Sequence, residues 1–459
     1  MDVPAPVTEA PPSLGAELKG LWRLALPLAL AQMGQALMGL VDTAVLGRVS
    51  AEAQAAAGLG NSLTFTLSYF GMGVMLALDP LVAQAIGAKQ PARARRWLWQ
   101  GVWLAALVAA PVMLGVAVMP FLLEPFGVTP ALARGASAYM WWRLPGVPLL
   151  LLFIATRSYL QGVGRPASTF WAMVLANIAN VVLDVALIFG WGPIPALGVE
   201  GAAIATTACT GLQLAVLAVA LGPAPEGTQR QPERAELKAA AALGLPIGLH
   251  FLAESGLFSL SGVLAGRLGA VAVAAHQVVL TTASVTFCVA VGIGSAAATR
   301  VGWGVGAKDL PAARRAGLTA FGSAVVFMCF ASLGFLTFPR LLGGLLSTDP
   351  GVIDVVVSLF VVAAVFQVSD GVQAVGAGAL RGVGDTQFTL WANLVGHWLI
   401  GLPVAVLLGV KGSLGVVGLW WGLSAGLTAV AVALFARFHW VTRARHPSGT
   451  GNPPDPYLR

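Results

Sequence analysis

Charge is what this chain has least of. Only 10% of its 459 residues are Asp, Glu, Lys or Arg, and 57% are hydrophobic. An ordinary soluble domain carries about 25% charged residues, and a mean hydropathy of +0.82 excludes that class. Cysteine is also sparse. Cys209, Cys288 and Cys329 lie in apolar runs with no paired or metal-type spacing, which excludes a disulfide framework or zinc module and makes them reduced packing residues. There is no phosphate-binding glycine loop and no Ser-His-Asp arrangement, so no enzyme constellation and no organic cofactor is expected. Met1 to Gly20 lacks a basic stretch directly before an apolar core, so it reads as a tail and not a signal peptide. The net charge of +7 does not imply a nucleic-acid partner, because a membrane protein collects Lys and Arg in its cytoplasmic loops.

What the chain does have is apolar runs, twelve of them, each long enough to cross a bilayer as a helix. They lie near 21–47, 54–79, 97–119, 133–160, 168–190, 199–221, 239–266, 272–300, 317–338, 352–379, 388–410 and 414–439. Basic residues cluster after every second run. Lys89, Arg93, Arg95 and Arg96 follow span 2, Arg165 follows span 4, and Arg230, Arg234 and Lys238 follow span 6. Lys308, Arg314 and Arg315 follow span 8, Arg381 follows span 10, and Arg443 and Arg445 follow span 12. That alternation places both termini in the cytoplasm. Trp97, Trp99, Trp141, Trp142, Trp420 and Trp421 lie near run ends, where they read as interface anchors.

The two halves repeat. Ala85-Ile-Gly87-Ala-Lys89 recurs as Gly304-Val-Gly306-Ala-Lys308, and Leu160-Gln-Gly162-Val-Gly164 as Leu380-Arg-Gly382-Val-Gly384. The expected fold is an all-α polytopic membrane protein of twelve helices in two six-helix lobes, related by a parallel pseudo-two-fold repeat. The expected parts are a cytoplasmic tail (1–20), a first lobe (21–221), a Pro- and charge-rich linker (222–238), a second lobe (239–440) and a second cytoplasmic tail (441–459). A substrate site is expected between the lobes.

Acids inside such helices are costly and mark function. Asn177, Asn180 and Asp184 share one face of span 5, since three- and four-residue steps stack on a helix. Asp42 in span 1 and Thr206 in span 6 fall at a similar depth. Two carboxylates with amide and hydroxyl oxygens suit a proton or a hard monovalent cation, so Na⁺ is a candidate at Asp42, Asn180, Asp184 and Thr206. In the second half His250 and Glu254 share a face of span 7, and Gln367, Asp370 and Gln373 share one in span 10, giving a second cation or substrate site. His276, with Gln277, is expected to hydrogen-bond locally, His397 to pack or lie at the interface, and Asp79-Pro80 to serve as a helix-end device. Aligning span 11 on span 5 puts His397, Ile400 and Val404 opposite Asn177, Asn180 and Asp184, so the second half drops the carboxylate.

Taken jointly, Val41-Asp42-Thr43 with Gly47, the Gln84-to-Lys89 run and its copy, Leu245-Pro246-Ile-Gly248 with Glu254, Ala274-Ala-His276-Gln277, and Phe366-Gln367-Val-Ser-Asp370-Gly371 with Gly378-Ala-Leu380-Arg381-Gly382 resemble the multidrug and toxic compound extrusion (MATE) family over about residues 20–440. The resemblance implies a monomeric two-lobed exporter of lipophilic organic cations and other amphiphiles, exchanging them for inward H⁺ or Na⁺ across the bacterial inner membrane. Asp42, Asn180, Asp184 and Thr206 match the first-lobe cation site of the DinF-like branch. Glu254 and Asp370 match second-lobe acids of the NorM-like branch, so the chain carries mixed features. A lipid or lipid-linked precursor flippase on the same plan would want a basic cleft, and a channel a continuous polar ring; the buried charges here are mostly acidic and lie in separate lobes.

Overall fold

In a computed structural model the described residues are 13–193 and 195–443. Every regular element among them is helical. Eleven helices are long and apolar enough to cross a membrane, and one bent pair makes a twelfth span. In chain order the first lobe holds span 1 (Leu14–Leu46), span 2 (Ala51–Gly87), span 3 (Pro91–Leu123), span 4 (Pro130–Arg143 with Gly146–Gly162), span 5 (Ala167–Ile188) and span 6 (Val199–Ala220). The second holds span 7 (Arg234–Arg267), span 8 (Ala270–Gly306), span 9 (Leu310–Thr337), span 10 (Pro350–Val383), span 11 (Thr386–Lys411) and span 12 (Gly415–Val441).

Several helices begin before their apolar runs do. Ser13 caps span 1, its Oγ accepting from the Ala16 amide at 3.3 Å, so residues 14–20 of the expected tail are helical. Pro91 opens span 3, and Arg93, Arg95 and Arg96 ride on its first turns instead of a loop. Arg234 and Lys238 likewise belong to span 7 and not to the linker. A charged residue can continue a helix into the interface because its long side chain carries the charge to water. Residues 1–12 and 444–459 of the expected tails, with Arg445, lie outside the described residues.

Proline explains where the rods break. Pro80 has no N–H to give, and the ladder of span 2 lapses at Leu76–Ala77 before resuming at Leu78. Span 4 bends by 46° at Leu144–Pro145. Pro403 separates two π-helical stretches of span 11, Leu394–Gly401 and Val406–Lys411. A π turn carries an extra residue, and such turns recur at functional sites.

The two lobes meet along spans 1 and 8 and, equivalently, spans 2 and 7. The sequence repeat marks this seam. Gly87 lies against the backbone of Trp303, and its counterpart Gly306 against the backbone of Gln84; a Cβ on either would collide with main chain of the other lobe. Gln84 Nε2 donates to the Gly382 carbonyl at 3.0 Å, and Trp303 Nε1 donates to the Gly162 carbonyl at 2.8 Å. Both motif copies close with a left-handed lysine, Lys89 (φ 57°) and Lys308 (φ 59°).

All of this lies on the membrane face that carries the described chain ends and the linker. Arg300 there pairs with Glu17, and Gln161 Nε2 donates to the Ser295 carbonyl at 3.0 Å and to Thr299 Oγ1 at 2.9 Å. Farther out, the rings of Tyr69 and Phe251 meet across the seam at 5.1 Å. Beyond that level the described residues place no hydrogen bond or ion pair between the lobes. The polar contacts that join the lobes among the described residues therefore lie on the terminal face.

Candidate functional site

Span 1 brings Asp42 toward the outer end of the first lobe, and spans 5 and 6 bring partners to it. Asn180 Nδ2 donates to Asp42 Oδ1 at 2.9 Å, and Thr206 Oγ1 donates to Asp42 Oδ2 at 3.0 Å. Asp184 lies one turn beyond Asn180 and interacts with Asp42 directly. Asn180 and Asp184 are fully buried, at 0% exposure. Asn180 Oδ1 and both oxygens of Asp184 receive no hydrogen bond among the described residues. Three buried acceptors without a donor, beside a second carboxylate, form a cluster that a proton or a hard monovalent cation would complete. Asn177 stands apart from it, its amide donating to the Met173 carbonyl at 2.9 Å one turn back.

Two neighbours from span 4 join this layer without having been singled out in the sequence. Tyr139 reaches Thr206, and its hydroxyl lies 3.2 Å from Asn61 Oδ1. Arg143 Nη1 donates to Thr207 Oγ1 at 3.4 Å and is close enough to Tyr139 to interact with it electrostatically. The available signal was an arginine inside an apolar run, masked by its Trp141-Trp142 neighbours.

In the second lobe Glu254 has a donor, Gln373, and an imidazole neighbour, His250. His250 Nε2 lies 3.3 Å from Glu254 Oε2, and Gln373 Nε2 donates to Glu254 Oε1 at 3.1 Å and to Asn393 Oδ1 at 3.2 Å. Asp370 is buried at 6% exposure, within electrostatic reach of Glu254. Gln367 points elsewhere, hydrogen-bonded to Thr286 of span 8. His397, expected to pack or lie at the interface, sits in the first π stretch of span 11 within electrostatic reach of Glu254 and His250. Trp398 Nε1, donating to the Ala253 carbonyl at 3.3 Å, ties that stretch to span 7. From the first lobe Tyr69 approaches Glu254, with Phe65 against it at 4.9 Å and Phe251 beyond. An acid and three aromatic rings thus lie together at the seam between the lobes.

Three further expectations change. His276 does not bond locally: Trp420 Nε1, from span 12, donates to its Nδ1 at 3.2 Å. Trp420 is thereby a core residue and not an anchor, and Trp97 is buried too. Asp79 does stand in the first turn of a helical segment, which favours an acid. It is also 2% exposed and faces the other lobe, with Arg381 Nε 3.7 Å from its Oδ2 and Arg157 interacting with both. The cysteines are all free: Cys209 is buried and Cys329 exposed.

The MatE family pattern matches residues 27–186 and 246–407, once in each lobe. The chain is 37% identical over 447 residues to the multidrug resistance protein NorM of Burkholderia vietnamiensis, covering 94% of this chain and 96% of that one. It superposes on a eukaryotic MATE transporter, AtDTX14, with a TM-score of 0.83 and 23% identity over 92% of this chain and 96% of that one. It also superposes on an outward-facing multidrug resistance MATE transporter of the MOP superfamily, with a TM-score of 0.85 and 20% identity over 93% of this chain and 96% of that one. Those two likenesses show the same two-lobed fold. The chain belongs to the MatE family and is an integral membrane transporter, not an enzyme.

Proposed function

We propose that this transporter is a secondary active multidrug exporter of the bacterial inner membrane. It exchanges lipophilic organic cations and other amphiphiles for inward H⁺ or Na⁺, and works as a monomer. The observation that carries the reading is the pairing of Asp42 and Asp184 in the first lobe, with three buried acceptors lacking donors, while Glu254 and an aromatic wall sit in the second. Basic residues crowd the terminal face, so that face is cytoplasmic and the opposite one external.

The first-lobe cluster is the coupling site. Two carboxylates held together, Asp184 fully buried and Asp42 half-buried, repel each other, and a proton or Na⁺ between them relieves that repulsion. Asp42 belongs to span 1, which packs on span 8 of the other lobe, so loading the site can alter the fit of span 1 at the seam. The ion drives transport only by binding the two conformations with different affinity. The second-lobe site recognises cargo. Glu254 and Asp370 supply negative charge, and Tyr69, Phe65 and Phe251 offer ring faces that attract a cation. The inward-open state requires the terminal seam to part, with Gln84, Trp303 and Asp79–Arg381 exchanging partners for water.

The test is dye efflux from proteoliposomes under an imposed Na⁺ gradient and, separately, an imposed pH gradient. One of the two is expected to drive accumulation against the dye gradient. Transport indifferent to both would overturn the antiport reading.

A further inference from the structure

At the lobe seam, on the terminal half of the membrane-facing surface, spans 2, 3 and 7 enclose a groove of about 730 Å³. Its wall is apolar, with Phe70 and Val74 of span 2, Leu107 of span 3 and Leu245 of span 7. Leu107 and Leu245 are 60% and 47% exposed, so the wall faces lipid. Its mouth is basic. Arg234 and Lys238 stand four residues apart on the first turns of span 7, on the face that continues to Leu245. From Arg234 to Leu245 that face descends roughly 16 Å, from headgroup level into hydrocarbon.

The charges at the mouth are not neutralised by the nearest acids. Glu233 and Glu236 both turn to Arg96, leaving Arg234 and Lys238 exposed and with no carboxylate within ion-pair distance among the described residues. Arg230 adds a cation two residues before the lining Pro232, its guanidinium 5.1 Å from the ring of Trp99. Basic residues at the surface above an apolar slot between helices are the complement of one molecule type, an anionic amphiphile of that leaflet. A cationic drug would meet repulsion there.

We propose that this groove binds an anionic phospholipid of the terminal-face leaflet, with an acyl chain between spans 3 and 7 and its phosphate on Arg234 and Lys238. The groove is shared by the two lobes, so the bound lipid braces the seam and its occupancy tracks the lobe movement. The inference rests on the membrane position of the chain and not on its cargo or coupling ion.

The test is native mass spectrometry of the full-length protein titrated with dioleoylphosphatidylglycerol or dioleoylphosphatidylcholine. The wild type is expected to retain the anionic lipid preferentially. Arg234→Gln/Lys238→Gln should lower that retention about tenfold, while Lys411→Gln, on the opposite face, leaves it unchanged. Leu107→Trp, which fills the slot, should lower retention of both lipids. No preference for phosphatidylglycerol in the wild type, or full retention by the double variant, would overturn the proposal. So would displacement of the lipid by inorganic phosphate alone, which would mark a simple anion site, or by a lipophilic cation, which would mark a cargo entrance.

Discussion

Spans 5 and 11 hold equivalent places in the two lobes but carry different groups. Span 5 is a regular helix whose Asn180 and Asp184 leave three buried oxygens without donors. Span 11 is interrupted by π turns around Pro403 and carries Asn393 and His397 toward an acid that comes from span 7 instead. One lobe thus collects acceptors that call for a cation or proton. The other collects an acid that accepts from Gln373 and lies 3.3 Å from His250, beside aromatic rings at the seam. The same fold and motifs therefore support two unlike sites, each built from one seam span, span 1 or span 7, and from spans behind it. The aligned pair makes the point: Asn177 bonds its own backbone, while His397 approaches Glu254.

The largest expected effect is at the acceptor-rich lobe. Asp184→Asn removes one carboxylate of the pair, and gradient-driven efflux should fall to background while expression and melting stay near wild type. Next is the seam. Asp79→Asn leaves the half-buried Arg381 and Arg157 without their carboxylate, costing the closed seam about 2 kcal/mol. Spin-label distances across the terminal face should lengthen, and Asp79→Asn/Arg381→Gln should recover much of the closed population. Glu254→Gln removes charge from the second-lobe site. Binding of a lipophilic cation, followed by fluorescence, should weaken about tenfold, roughly 1.4 kcal/mol, and binding of a neutral amphiphile much less. Smallest is Asn177→Ala, expected within about 0.5 kcal/mol of wild-type stability and without effect on coupling; a large loss there would redraw the first-lobe site.

The twelve spans were legible because each apolar run had a length that only a bilayer demands, and the alternating basic clusters fixed their order. Asp42, Asn180, Asp184 and Glu254 stood out because a charge or amide in such a run is expensive. The motif copies were visible too, but not their use: Gln84 reaching Gly382 while Trp303 reaches Gly162 is a tertiary pairing that no local pattern contains. Arg143 and Tyr139 escaped notice because span 4 bends after Arg143, and a straight helix gives no reason to turn them to Thr206 and Thr207. His397 was expected only to pack or lie at the interface because a π turn shifts the face that a regular period would assign, and Asn393 gave no signal because its partner, Gln373, is on another span. His276 was misread because its partner, Trp420, is 144 residues away.

The central claim is that the coupling ion acts through the Asp42–Asp184 pair in one lobe on cargo held in the other. Linkage makes this measurable without transport: an ion that favours one conformation must shift cargo affinity by the same factor by which cargo shifts ion affinity. The direct measurement is the Kd of a lipophilic cation across a range of pH and of Na⁺ concentration, in the wild type and in Asp184→Asn. The account predicts that one ion weakens cargo binding to the wild type by about 5–150-fold, and that the variant binds cargo with an affinity flat in both. An undiminished ion-dependent shift in Asp184→Asn would contradict it.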